Sequence, residues 1–223
     1  MRENSLWRSE MKQNGVGHIL RAAGHRGVLL GLLVALLGLA GCGSARPIKY
    51  YQLTSPVGSA TVPESIHVSI IVRAFEANHL LREDRIVYGW GAQEVGTYEN
   101  QRWTSPPVEL LQEAIVRGLR SSGQFRSVST ARSANTGDFV LSGHLYEFNE
   151  VDGSTVVGRL AYDVRLHDRK TGATVWRTSY KHDEVSASKE VAAVVSAMDK
   201  NVQQSVQQLQ AGLVEYFRGH PSN

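Results

Sequence analysis

The residues whose types and spacing demand chemistry are Leu39, Ala40, Gly41 and Cys42. Cys42 is the only cysteine of the 223 residues, so no disulfide can form within one chain. It follows a basic flank (Arg21, His25, Arg26) and an apolar run, Val28–Leu39. That run matches the roughly 7–15 residues of a secretory signal and falls short of the about 20 needed to span a bilayer as an ordinary anchor. Leu39-Ala40-Gly41 is a lipobox: small residues give a peptidase access to the backbone before Cys42, whose thiol then receives diacylglycerol. The expected product is a thioether-linked, N-acylated (palmitate-type) Cys42. Two or more chains hold a protein stably in a leaflet where one chain does not.

Other constellations give no chemistry. His67, His79, His144, His167 and His182 sit on separate segments, with no HExxH and no i,i+4 pair, and no second Cys could complete a zinc site. No G-x-S-x-G elbow occurs, and Gly89-Trp90-Gly91 lacks the third glycine and helix of a nucleotide loop. The chain is therefore read as a non-enzyme with no cofactor and no metal. Two aromatic sites stand out as partner contacts: Tyr88 with Trp90 between two glycines, and Arg102-Trp103. Trp and Arg dominate interface energetics. Trp90 is the better choice for an exposed contact and Trp103 for a core plug.

Charge points the same way. Of the 24 Lys+Arg and 21 Asp+Glu, five and two respectively precede Cys42, so the chain after the leader carries nineteen of each. The basic excess belongs to the leader, and no nucleic-acid footprint is left. Gly43 follows the cysteine where Asp would favour inner-membrane retention, which directs the protein to the periplasmic face of the outer membrane. Met11 offers a second start within a long leader.

The elements that must carry these residues read as follows. Residues 1–41 are a lipoprotein signal peptide; 42–65 are a lipidated tether with a short strand, Tyr50–Leu53, and a Pro/Gly/Ser/Thr-rich linker; 66–223 form one α/β domain. His67–Phe75 predicts a strand with Val68, Ile70, Val72 and Ala74 on one face; Ile71 breaks the alternation and implies that the other face is partly covered. His79–Asp84 is a bridge, and Ile86–Tyr88 and Glu94–Tyr98 predict a hairpin. Ser105 and Pro106 open a helix with Val108, Leu111, Ile115 and Leu119 inward. Gly118 marks a close approach and Gly123 the stop. A strand near Phe125–Ser129 precedes a three-strand meander over Phe139–Asn149, Val156–His167 and Ala173–His182, turned at Val151–Ser154 and Asp168–Gly172. A helix from Ser188 to Phe217 closes the chain. Its apolar stripe runs from Val191 through Met198, Val202, Val206, Leu209 and Leu213, with Asn201, Gln203, Gln204, Gln207, Gln208 and Gln210 opposite. The stripe packs on the sheet or, at near-heptad spacing, on a partner helix. The fold class is α+β: a mostly antiparallel sheet with two main helices on one side, the second long and C-terminal.

Tyr50-Tyr51-Gln52-Leu53 behind a lipidated cysteine, Ile86-Val87-Tyr88, then Tyr98, Arg102-Trp103, Pro107, Leu110-Leu111, Ala114-Ile115 and Leu119 together resemble the ABC-type transport auxiliary lipoproteins, the paraquat-inducible protein C type. The resemblance covers nearly all of the chain after the anchor; Gly89-Trp90-Gly91 departs from it at the hairpin tip. It implies an accessory lipoprotein of an MCE-linked ABC-type lipid or solvent transport system, docking a transenvelope conduit at the outer membrane. The implied partners are an MCE-domain protein, the ABC permease complex and further copies of the chain. The competing expectation is an assembly or regulatory lipoprotein, such as a cell-wall synthase activator or part of an outer-membrane insertion scaffold.

Overall fold

The computed structural model describes residues 46–54, 66–90, 93–133 and 136–220. In chain order the strands are β1 (Lys49–Tyr51), β2 (Ile66–Val72), β3 (Glu76–Ala77), β4 (Arg85–Trp90), β5 (Glu94–Trp103), β6 (Phe125–Thr130), β7 (Phe139–Asp152), β8 (Val157–Asp168) and β9 (Thr174–Val185). The helices are α1 (Pro107–Ser121) and α2 (Val191–Gly219), with a 3-10 turn at Leu80–Arg82.

β7 is the strand the others line up on. One edge pairs antiparallel with β8 from Phe139↔Asp168 to Val151↔Val157, and β8 continues antiparallel into β9. Along the other edge β2, β3 and β4 follow one another end to end, all parallel to β7. β6 lies parallel outside β2; β5 returns antiparallel on β4, with β1 parallel outside it. The fold is thus α+β on a mixed sheet whose long ladders, the meander and the hairpin, are antiparallel. β1 is part of that sheet and Leu53 part of the core, so the compact unit starts at Pro47, earlier than the sequence boundary at residue 66.

β8 shows why one face is dry. Leu160, Tyr162, Val164 and Leu166 are buried, while Arg159, Asp163, Arg165 and His167 point to the open face. On that open face Arg159 grips Asp183 through two bonds of 2.6 and 2.7 Å. In β2, Val68, Ile70 and Val72 enter the core, and Ile71 is also buried, because the loop at Gly137 lies against it.

Helix α1 begins one residue later than its punctuation suggests. Pro106 is the cap, Ser105 makes no capping bond, and the Pro106 carbonyl accepts from Glu109 and Leu110 N–H. Proline can open the helix because its missing N–H would have had no partner there. Gly123 ends it in the left-handed region (φ +63°), and Gly172 turns β8 into β9 with φ +73°.

Both helices share the dry face. α1 meets α2 where Gly118 lies under Val206, and α2 lies on β8 at Gly158, where an added Cβ would be 3.1 Å from the Met198 nitrogen. Met198, Val202, Val206, Leu209, Leu213 and Phe217 are buried as their spacing predicts, and the stripe faces the sheet. Asn201 departs from the prediction. It is fully buried: Nδ2 donates to the carbonyls of Gly158 and His182 (both 2.9 Å), and Oδ1 accepts from the Tyr180 hydroxyl at 2.8 Å. A polar residue is stable inside when its bonding capacity is filled, and here it ties α2 to β8 and β9.

Candidate functional site: an aromatic and acidic cleft

The β4–β5 hairpin carries the candidate contacts. Its register places Tyr88 opposite Gly96 and Trp90 opposite Glu94. Gly96 leaves room for the Tyr88 ring, since a Cβ there would be 2.7 Å from it. The ring therefore crosses the hairpin and meets Tyr98 at 4.7 Å, while Trp90 closes edge-on to Tyr88 at 4.8 Å. The result is a row, Trp90–Tyr88–Tyr98, whose outer member is 50% exposed.

The parallel pairing of β4 with β7 sets Tyr88 beside Glu150 and Trp90 beside Asp152. Same-face neighbours in a ladder share their environment, so two carboxylates line the row. Tyr98 donates to Glu150 Oε2 at 2.9 Å, and the Trp90 indole N–H donates to Asp152 at 3.3 Å. Lys189, just before α2, reaches Asp152 at 3.1 Å. Burial pushes the Glu150 carboxyl above its usual range and the Tyr98 hydroxyl well up, whereas the Lys189 contact holds Asp152 down. With Thr97 and Glu99, the three aromatic residues and the two carboxylates line an open cleft of about 430 Å³.

The other candidates lie elsewhere. Trp103 is in the core, 2% exposed and edge-on to Phe148 at 5.3 Å, so it offers a partner no surface. Arg102 binds Asp84 at 2.7 Å and pins the start of the hairpin to its end. Cys42 and its lipobox, Leu39, Ala40 and Gly41, lie outside the described residues. A larger groove of about 500 Å³ beside α1 has a Phe75, Val108 and Val116 floor and a rim of mixed charge. Its Arg117 pairs with Glu113 and its Arg120 donates to the Val128 carbonyl, so the rim is largely satisfied within the chain.

The family model of the ABC-type transport auxiliary lipoprotein component matches residues 51–210. The chain belongs to that family. Among solved structures, a Xanthomonas campestris protein of family DUF330 is similar in fold, with a TM-score of 0.70 at 18% identity, over 77% of this chain and 98% of that one. An uncharacterized protein follows with a TM-score of 0.59 at 15% identity, over 75% of this chain and 99% of its own. No curated relative matches in sequence.

The residues by which this auxiliary lipoprotein component resembles its family divide between scaffold and surface. Tyr51 donates to Gln101 at 2.7 Å and Leu53 is in the core, so the YYxL segment docks the start of the domain. Arg102-Trp103 and Leu110-Leu111 are packing and corner residues, and Tyr98 serves the cleft. Sequence reasoning missed Glu150 and Asp152. The hairpin was legible from its spacing, but the parallel pairing that sets β7 beside it joins residues about sixty apart and leaves no local trace. No group of three or more His, Cys, Asp or Glu among the described residues could hold a metal ion, and no helix among them is long and apolar enough to cross a membrane.

Proposed function

We propose that this auxiliary lipoprotein component is a non-enzymatic docking subunit of an MCE-linked ABC-type lipid or solvent transport system. Acylated Cys42 holds it at the periplasmic face of the outer membrane, and the folded domain receives the end of a transenvelope conduit, several copies matching the conduit's symmetry. Anchoring raises the effective concentration of the docking surface at the membrane, which is the mechanism. The observation that supports a docking role is the Trp90 tip. A half-exposed Trp, backed by two tyrosines and bordered by buried acid, is the composition of an interface hot spot.

The test is affinity purification of the detergent-solubilised lipoprotein. Recovery of an MCE-domain protein and permease subunits, reduced at least tenfold by Trp90→Ala, is expected. Recovery of cell-wall synthase components without any MCE-domain protein would refute the assignment.

A further inference from the structure

We propose that the cleft formed by Trp90, Tyr88, Tyr98, Glu150 and Asp152 is the receptor for an arginine side chain on a protein partner. The inference rests on the docking reading and names the chemistry that the docking face selects.

Glu150 carries the argument. The residue is only 5% exposed, yet just one carboxylate oxygen, Oε2, is occupied, by the Tyr98 hydroxyl. Oε1 accepts no hydrogen bond from the described residues but is not shut off from solvent, and Glu150 lines the cleft. The Lys189 charge only partly offsets the desolvation of this carboxylate, so a charged donor entering from outside, in place of water on Oε1, would add a direct ion pair. Asp152 lies two residues along on the same face of β7, about 6–7 Å away by strand geometry. It already accepts the ammonium of Lys189, a side chain that is otherwise 73% exposed. The chain thus shows that a long basic side chain can enter from solvent and end on Asp152.

The aromatic row selects the shape of the cation. Trp90, Tyr88 and Tyr98 stand in line, and do not form a closed box round one point. A row with an exposed Trp at its end fits a flat ion that stacks on one ring and bonds sideways, whereas a spherical quaternary ammonium needs rings on several sides. Guanidinium is flat, stacks on aromatic faces and presents a fork of donors to carboxylates. Glu150 and Asp152 lie beside the row by register, so one fork can reach Oε1 of Glu150 while its plane rests on an aromatic face. A lipid headgroup amine could supply charge but not the planar stack.

The experiment titrates the full lipidated chain in non-ionic detergent with acetyl-Gly-Arg-Gly-amide, with the matching lysine and norleucine peptides, and with phosphocholine, read by tryptophan fluorescence and by NMR. The arginine peptide should bind saturably, at least fivefold tighter than the lysine peptide, and the norleucine peptide should not bind. Glu150→Gln, which keeps the acceptor for Tyr98, and Trp90→Ala should each weaken arginine binding at least fivefold, and 0.5 M salt should weaken it further. Equal binding of the norleucine peptide, an unchanged Glu150→Gln variant, no arginine binding at all, or tighter binding of phosphocholine would each overturn the proposal. The two readings separate cleanly. If Trp90→Ala abolishes recovery of the MCE-domain protein while arginine does not bind, the docking role stands and the cation assignment falls. If arginine binds but no MCE-domain protein is recovered, the reverse holds.

Discussion

Replacing Asn201 with Ala removes the polar peg between α2 and the meander, and the structure sets the scale of the loss. Three hydrogen bonds of 2.8–2.9 Å disappear. The Gly158 and His182 carbonyls belong to paired strands, so each loses a second donor only. Tyr180 fares worse. Its hydroxyl keeps only a 3.4 Å contact to the Asn201 carbonyl, inside a region where burial already pushes its pKa up to about 12. At roughly 1 kcal/mol per net bond, and roughly 1–3 kcal/mol for a donor left unpaired, the expected loss is about 3–4 kcal/mol. Against a domain stability of order 5–15 kcal/mol this is a large fraction. Urea denaturation of the full chain in non-ionic detergent, followed by circular dichroism, measures it. Pairing Asn201→Leu with Tyr180→Phe removes both partners and should cost less than the sum of the single changes. A loss under 1 kcal/mol for Asn201→Ala, or strict additivity of the pair, would refute the view that Asn201 is a satisfied peg.

Gly118→Ala should destabilise by about 0–2 kcal/mol. Helix propensity gains roughly 1 kcal/mol, but the new Cβ falls 2.2 Å from Cγ1 of buried Val206, and overpacking of that kind costs about 1–3 kcal/mol. Adding Val206→Ala should recover most of the loss, as read from melting curves. Glu150→Gln should raise the melting temperature at pH 7 to 8 and leave it unchanged near pH 4. The carboxyl's folded pKa is raised, so its burden is absent below the unfolded value and grows as pH rises through the folded one. Cys42→Ala should leave an unprocessed precursor absent from the outer-membrane fraction; normal processing and fractionation would remove the anchoring assignment.

What could be read from the sequence was what local periodicity controls. The alternation of β8, the α1 stripe, the stop at Gly123 and the turn at Gly172 each follow from contacts within a few residues. The parallel pairings were hidden because β2, β3 and β4 meet β7 across sixty or more residues, and a strand's own pattern does not say which neighbour it takes. Asn201 was misplaced for a related reason. One amide in a run of Gln residues reads as solvated surface, and only the crossing of α2 over Gly158 shows that it is enclosed. Of the candidate contacts, the Trp90 and Tyr88 hairpin kept its surface, while Trp103 belongs to the core.

The same mixed pairing accounts for where a binding face can exist at all. On the dry side of the sheet, α1 and α2 cover the centre, and α2 begins only at Val191. Glu150 sits abreast of Gly158, where α2 packs on β8, while Asp152 and Trp90 lie at the end of the ladder. The face that is hydrophobic under the helices therefore continues past their cover as aromatic side chains, which can be half wet without the full cost of exposed aliphatic surface. Carboxylates beside them keep that surface from self-association, since an approaching copy would bring the same charge to the same place. A partner with opposite charge meets no such penalty, so the acid pair selects the partner as much as it attracts it. Burial raises the Glu150 pKa, and the Glu150→Gln variant measures both sides at once: more stable alone, weaker in binding.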